Sequence, residues 1–128
     1  MDKKIINSKK APSPVGPYNQ AILAGNTLYI SGQIGIDQSS GNLVLNSIEE
    51  ETHQVMKNLS YILDEAGLTF ENVVKCSVFV KDMGMYARIN AVYATYFHDP
   101  TAPARELVEV ANLPKYVNVE VSCIAIKN

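Results

Sequence analysis

The strongest constraint on this chain lies between Ser47 and Gly67, where a long helical repeat separates segments rich in β-branched residues. Ser47 and Glu50 have capping-box spacing, and Ile48, Val55, Met56, Leu59, Ile62, Leu63 and Ala66 then recur at helical intervals, with Thr52 interrupting. Gly67 stands where a left-handed terminator belongs. One apolar stripe needs a surface to lie on, and strands on both sides of it supply one. Tyr18 to Ala24 and Thr27 to Ile34 flank Gly25-Asn26, a two-residue hairpin turn that sets Ala24 against Thr27 and Ile22 against Tyr29. Val73 to Val80 reads as a third strand. Asp82 then caps a second helix with the stripe Tyr86, Ile89, Tyr93, Tyr96 and Phe97, which reads as core and ends before Pro100.

Ala104 to Val110 and Asn118 to Ile126 complete the order strand, strand, helix, strand, helix, strand, strand, with Leu113-Pro114 in a short connecting loop. The expected fold is α+β, a mixed sheet with two helices on one face. That leaves the other face uncovered. Alternation sets Val119, Val121, Cys123 and Ala125 on one side and Asn118, Glu120, Ser122 and Ile124 on the other, so the second face is mixed rather than fully wet. Such a face invites symmetric self-association, with clefts between subunits.

A chain of 128 residues is expected to form a single domain over 1–128. Its 11 basic and 13 acidic residues are interspersed, which gives no coat for nucleic acid. No apolar run approaches the roughly 18 to 20 residues of a membrane helix, so no membrane partner is expected and the chain is expected in the cytoplasm. Lys3, Lys4, Lys9 and Lys10 read as solubilising a mobile arm that continues through the proline-rich stretch Ala11 to Pro17. Cys76 and Cys123, far apart in sequence, read as buried reduced thiols rather than a disulfide or metal site. Glu49 and His53 are one helical turn apart, but no third ligand follows in register, so no metal is expected. His53 reads as solvent-facing, and His98 as a partner for carbonyls at the end of the second helix.

Charges inside apolar strands are what remain. Arg105 cannot lose its proton, so in a partly dry strand it must meet an anion, and its fork fits a small carboxylate bidentately. Glu120 stands in the last strand, Gly32 in the middle of an early one, and Tyr18 and Asn90 are polar groups in apolar surroundings. Gly32 is consistent with either the approach of a ligand or tight packing. A hairpin turning near Pro114 would set Arg105 opposite residue 123 and Glu120 opposite residue 108, about 10 Å apart along the sheet, so pairing within one chain is not expected. The hairpin register also sets Tyr18 and Gly32 on opposite sides. On the residues alone, a ligand site and a structural or intersubunit ion network both stand.

Val15-Gly16-Pro17-Tyr18-Asn19-Gln20-Ala21, Leu28-Tyr29-Ile30-Ser31-Gly32-Gln33-Ile34, Val78-Phe79-Val80-Lys81-Asp82-Met83, Pro103-Ala104-Arg105, Val108-Glu109-Val110 and Leu113-Pro114-Lys115 together resemble the RidA (YjgF-like) family of reactive-intermediate deaminases. The resemblance covers essentially the whole chain. It implies a chorismate-mutase-like α+β fold, a homotrimer with sites between subunits, and no cofactor. The implied activity is hydrolysis of 2-imino acids such as 2-iminobutanoate and 2-iminopropanoate, enamine and imine products of pyridoxal-phosphate dehydratases, to 2-oxo acids and ammonia. By the same resemblance Arg105 holds the substrate carboxylate, Glu120 positions or activates water, and Tyr18, Ser31, Gly32 and Asn90 line the pocket. Glu106-Leu107 departs from many relatives, which carry small, hydroxyl or thiol residues there. Alternation puts Leu107 on the Arg105 side, where it narrows or dries the pocket, and Glu106 on the other. A second reading is a trimeric, non-catalytic sensor of small 2-oxo acids, which could use Arg105 and dispense with Glu120. Ribonuclease action ranks last, since it would want a basic groove with stacking aromatics.

Overall fold

The computed structural model describes residues 2–128. Its strands are β1 (Lys3–Ile6), β2 (Ala21–Ala24), β3 (Thr27–Gln33), β4 (Ile36–Asp37), β5 (Asn42–Leu43), β6 (Val73–Val80), β7 (Ala104–Glu109) and β8 (Val119–Ile126), and its α-helices are α1 (Ile48–Glu65) and α2 (Tyr86–Tyr93). Six strands form one sheet in the order β1-β2-β3-β8-β6-β7, while β4 and β5 pair separately. Only β6 and β7 run parallel, and the other neighbours are antiparallel. Both helices lie on one face of this mixed α+β sheet, as expected.

Helix α1 forms where the sequence marks it. The Glu50 amide donates to Ser47 Oγ at 3.1 Å, and Glu49, Glu50 and Glu51 fill the first turn, where the helix dipole favours negative charge. Gly67 takes φ +76°, its amide donates to the Asp64 carbonyl, and the Leu68 amide reaches back to the Leu63 carbonyl, each at 2.9 Å. Thr52, which breaks the apolar stripe, is buried with Oγ1 donating to the Ile48 carbonyl. The stripe meets the inward side of the sheet, where Leu28, Ile30, Val78, Val80, Val119 and Val121 are buried. Buried polar groups on the same helix tie down two loops. Asn58 Nδ2 donates to the Ile34 and Ile36 carbonyls, and the Glu51 carboxylate accepts the backbone and side-chain amides of Asn118. The β2–β3 hairpin has the expected register.

Several expectations change. Lys3 and Lys4 do not belong to a free arm: β1 pairs antiparallel with β2 from Lys3–Ala24 to Ile6–Ala21. A lysine-bearing strand on the rim of a sheet reads locally as a solubilising tail, because charge is how edges are blunted. The second helix is shorter than its stripe suggests. Asp82 caps the 3-10 turn Met83–Met85 rather than α2 itself, and α2 gives way after Tyr93 to a 3-10 turn, where Thr95 Oγ1 takes the Val92 carbonyl. Tyr96 and Phe97 therefore leave the helix and pack around Phe70. His98 lies beyond the end of α2 and is exposed. His53 is not solvent-facing: it is half-buried, with Nδ1 2.8 Å from the Tyr96 hydroxyl.

The largest change concerns the last two strands. They do not form a hairpin, because β6 lies between them. Arg105 is level with Cys76 of β6, and Cys76 with Cys123 of β8. The expected alignment of 105 with 123 thus holds at the distance of two strands.

Candidate functional site

Alternation along β8 turns Glu120 away from the helices. Its carboxylate lies against β3 at Gly32, where a Cβ would come within 2.5 Å of Oε2 and 2.7 Å of Cδ. Gly32 is therefore explained by the close approach of this side chain, and β3 shifts register against β8 between Ile30 and Gln33. In front of Glu120 is a cavity of about 350 Å³ walled by Pro12, Val15, Tyr18, Ile34, Pro114 and Lys115 among others. Tyr18 and Gly32, expected on opposite sides of the hairpin, share it, because β2 begins only at Ala21 and Tyr18 belongs to the preceding loop.

That loop is held by buried amide chemistry. Gln20 Oε1 accepts the Ser8 amide at 2.7 Å, while Nε2 donates to the Ser8 carbonyl at 3.0 Å and the Pro12 carbonyl at 2.9 Å. Ser31 does not line the cavity. Its Oγ donates to the Asn19 carbonyl at 2.7 Å and so fixes the loop beside Tyr18. On the far wall Lys115 and its neighbour Tyr116 adopt left-handed backbone (φ 55° and 56°), which costs bulky residues energy and is characteristic of functional loops. Glu120 is half-buried, and burial pushes its carboxyl pKa up.

The second group of residues lies elsewhere. Arg105 and Leu107 point to the helix side of β7, and α2 brings Tyr86, Asn90 and Tyr93 along one face to meet the arginine. Nη1 donates to Asn90 Oδ1 at 2.7 Å and Nη2 to the Tyr86 hydroxyl at 3.2 Å, while Cζ lies 4.9 Å from the centre of the Tyr93 ring. Three of the five guanidinium N–H groups have no protein partner among the described residues. Leu107 packs against the edge of the core. Glu106 faces the other way, as alternation requires, and accepts from Ser77 Oγ at 2.7 Å with Lys75 Nζ at 3.3 Å.

Arg105 and Glu120 therefore sit on opposite faces of the sheet, two strands apart, and do not meet within one chain. Of the seven residues expected at the site, Tyr18, Gly32 and Glu120 come together in the cavity, and Arg105 and Asn90 come together at the edge. Leu107 flanks the second group, and Ser31 supports the first. Two contacts escape the sequence reading: Tyr86 and Tyr93, assigned to the core, both touch Arg105. The signal was the polar Asn90 set one helical turn after Tyr86 and before Tyr93.

Elsewhere Glu49 is taken by Arg88, with Nε and Nη2 each 2.7 Å from a carboxylate oxygen. No three His, Cys, Asp or Glu residues are grouped to hold a metal among the described residues. Cys76 and Cys123 are free, buried and level with each other on β6 and β8, and burial pushes both thiols up. No described helix is long and apolar enough to cross a membrane.

The family model described as endoribonuclease L-PSP, the YjgF/RidA family, matches residues 8–127. The chain belongs to this family. A RutC family protein of Synechocystis is 50% identical over 98% of both chains. The mouse 2-iminobutanoate/2-iminopropanoate deaminase is 46% identical over 98% of this chain and 92% of its own. Among solved structures, E. coli TdcF with bound serine superposes with a TM-score of 0.91 at 34% identity, covering 98% of this chain and 99% of that one. The fold is thus that of RidA-family structures, and the mammalian relatives at 44–46% identity are named 2-iminobutanoate/2-iminopropanoate deaminases, while others as similar carry only the RutC family name.

Proposed function

We propose that this protein hydrolyses 2-iminobutanoate, 2-iminopropanoate and similar small 2-imino acids to the 2-oxo acid and ammonia, at sites assembled between the subunits of a homotrimer. The observation that carries this reading is the separation of an Arg105 fork with unused donors from the half-buried Glu120 in its cavity. Each is half of an imino-acid site, and a second copy of the chain is the simplest source of the missing half. The deaminase relatives supply the reaction class.

In this scheme Arg105 of one copy takes the substrate carboxylate bidentately, which directs the imine carbon towards Glu120 of the next. The ionised Glu120 accepts a proton from water as the water oxygen bonds to that carbon. The substrate reacts as the iminium, already protonated from solvent, so its π electrons become the nitrogen lone pair as that bond breaks, giving a neutral carbinolamine. Glu120 then returns its proton to the amino nitrogen, ammonia leaves with the C–N bonding pair as the hydroxyl oxygen forms the carbonyl, and the hydroxyl proton passes to the ionised Glu120 and on to solvent. Imines are already electrophilic, so orientation and one proton shuttle supply what the reaction needs. A carboxyl whose pKa is raised by burial suits a group that must both take and return a proton near neutrality.

The sensor reading draws support from the serine bound to TdcF, because a carboxylate receptor can serve binding alone. Semicarbazide competition separates the two. With imine generated in place by a threonine dehydratase, catalytic amounts of this protein should divert 2-iminobutanoate from semicarbazone to free 2-oxobutanoate. Binding of 2-oxobutanoate without any diversion would leave the sensor.

A further inference from the structure

The support beneath Arg105 is built from an aromatic ring rather than from an acid. Among the described residues its side chain is paired with no carboxylate; its contacts are the Asn90 carbonyl oxygen, the Tyr86 hydroxyl and the Tyr93 ring. Tyr93 is 7% exposed, and Phe97 packs against its ring at 4.8 Å between centroids. It is therefore fixed, whereas Tyr86 stands 36% exposed with its ring centre 5.9 Å from Cζ. The Tyr93 hydroxyl is buried against the small thiol of Cys76, the residue level with Arg105, which is a weak hydrogen-bond partner. A hydroxyl in that position gains little from the contact. What the site uses is the ring face.

We propose that Tyr93 is a positioning residue for carboxylate recognition: its π face holds the Arg105 guanidinium flat while Asn90 and Tyr86 fix its rotation, so that the remaining donors face the incoming carboxylate already aligned. An aromatic support suits this task better than an acid would. A carboxylate beneath Arg105 would compete with the substrate for the same fork, whereas a ring stabilises the cation and leaves its N–H groups available. This inference rests on Arg105 being the carboxylate receptor of the reading above.

The test replaces Tyr93 while preserving or removing the ring. Tyr93→Leu should raise KM for 2-iminobutanoate about tenfold while changing kcat much less, on the scale of a partly desolvated cation–π contact. Tyr93→Phe retains the ring and should bring KM and 2-oxobutanoate affinity back to near the wild-type values, because it gives up only a weak contact with the Cys76 thiol. A purely structural role would lower the melting temperature of Tyr93→Leu and leave KM of the folded fraction unchanged, which would overturn the proposal. Should that variant fail to fold, Tyr93→Phe with one, two and three ring fluorines keeps the shape while draining the π face. Affinity for 2-oxobutanoate should then fall stepwise, and a flat series would refute the proposal. Rotation of the Arg105 guanidinium about Nε–Cζ, followed by NMR, should speed up along the same series without any ligand. That readout separates this inference from the proposed function: absence of imine hydrolysis in the wild type would sink the latter and leave the rotation test intact.

Discussion

Around Glu120 the chain builds a hollow: prolines, Val15, Tyr18 and Ile34 enclose space in front of one acid whose carboxylate rests on Gly32. Around Arg105 it builds a brace, in which α2 supplies an amide, a phenol and a ring to hold a cation at the open edge of the sheet. The hollow has an acid, and the brace presents donors. Each region thus lacks what the other has, and the rigidity of each comes from its own neighbours. The contrast suggests that burial does different work in the two places. In the hollow it raises the basicity of a carboxylate, and at the brace it orients a group that never titrates.

The sharpest test of this contrast is Arg105→Ala, which should abolish imine hydrolysis and 2-oxo-acid binding together, since losing one partner of a desolvated charge pair costs on the order of 2–5 kcal/mol. Arg105→Lys should recover little of either, because an ammonium has no fork. Steady-state kinetics with calorimetry checks both, and full binding by Arg105→Ala would break the assignment.

Glu120→Gln should act on the other half alone, lowering kcat by roughly a hundredfold with 2-oxobutanoate binding kept. Burial lifts the Glu120 pKa, and the base works ionised, so wild-type turnover should fall as pH drops through a value above the ordinary carboxylate range. The variant should lose that limb. Stability runs the opposite way. Burial of the ionised carboxylate costs nothing below the ordinary pKa and its full penalty above the raised one. Glu120→Gln should therefore melt higher than wild type at neutral pH and no higher in acid.

Co-assembly of Arg105→Ala with Glu120→Gln chains should restore roughly a quarter of wild-type activity, because each site of the proposed trimer would draw its two halves from different copies. No recovery would place the site within one chain. Gly32→Ala should cost about tenfold in turnover by displacing the Glu120 carboxylate, and Glu120→Gln should mask that loss. Smallest of all, Glu106→Gln should change turnover less than about twofold, since its exposed pairing with Lys75 and Ser77 lies on the face away from Arg105.

Local signals carried much of the fold. The bounds of α1 and β6 and the register of the first hairpin follow from a cap, a left-handed glycine, β-branched runs and a two-residue turn, each decided within a few residues. Arg105 and Glu120 stood out because charge in an apolar strand has few explanations, and alternation separated Leu107 from Glu106. What local pattern could not carry was pairing between distant strands. Nothing near Pro114 says that β6, some thirty residues earlier, will occupy the place where a hairpin partner would sit. For the same reason β1 looked like a tail, and the division of the site between two faces became visible only with the strand order.

That strand order has a consequence for how the molecule comes into being. Strands β1, β2 and β3 form one ribbon and β6 and β7 another, and β8 alone joins them, hydrogen-bonding to both. On a ribosome β8 is the last of the eight to emerge, so until then the nascent chain presents two unsatisfied strand edges flanking a vacant slot. Folding should therefore close late and cooperatively, and a chain stalled short of β8 is expected to be a substrate for chaperones rather than a partly working protein.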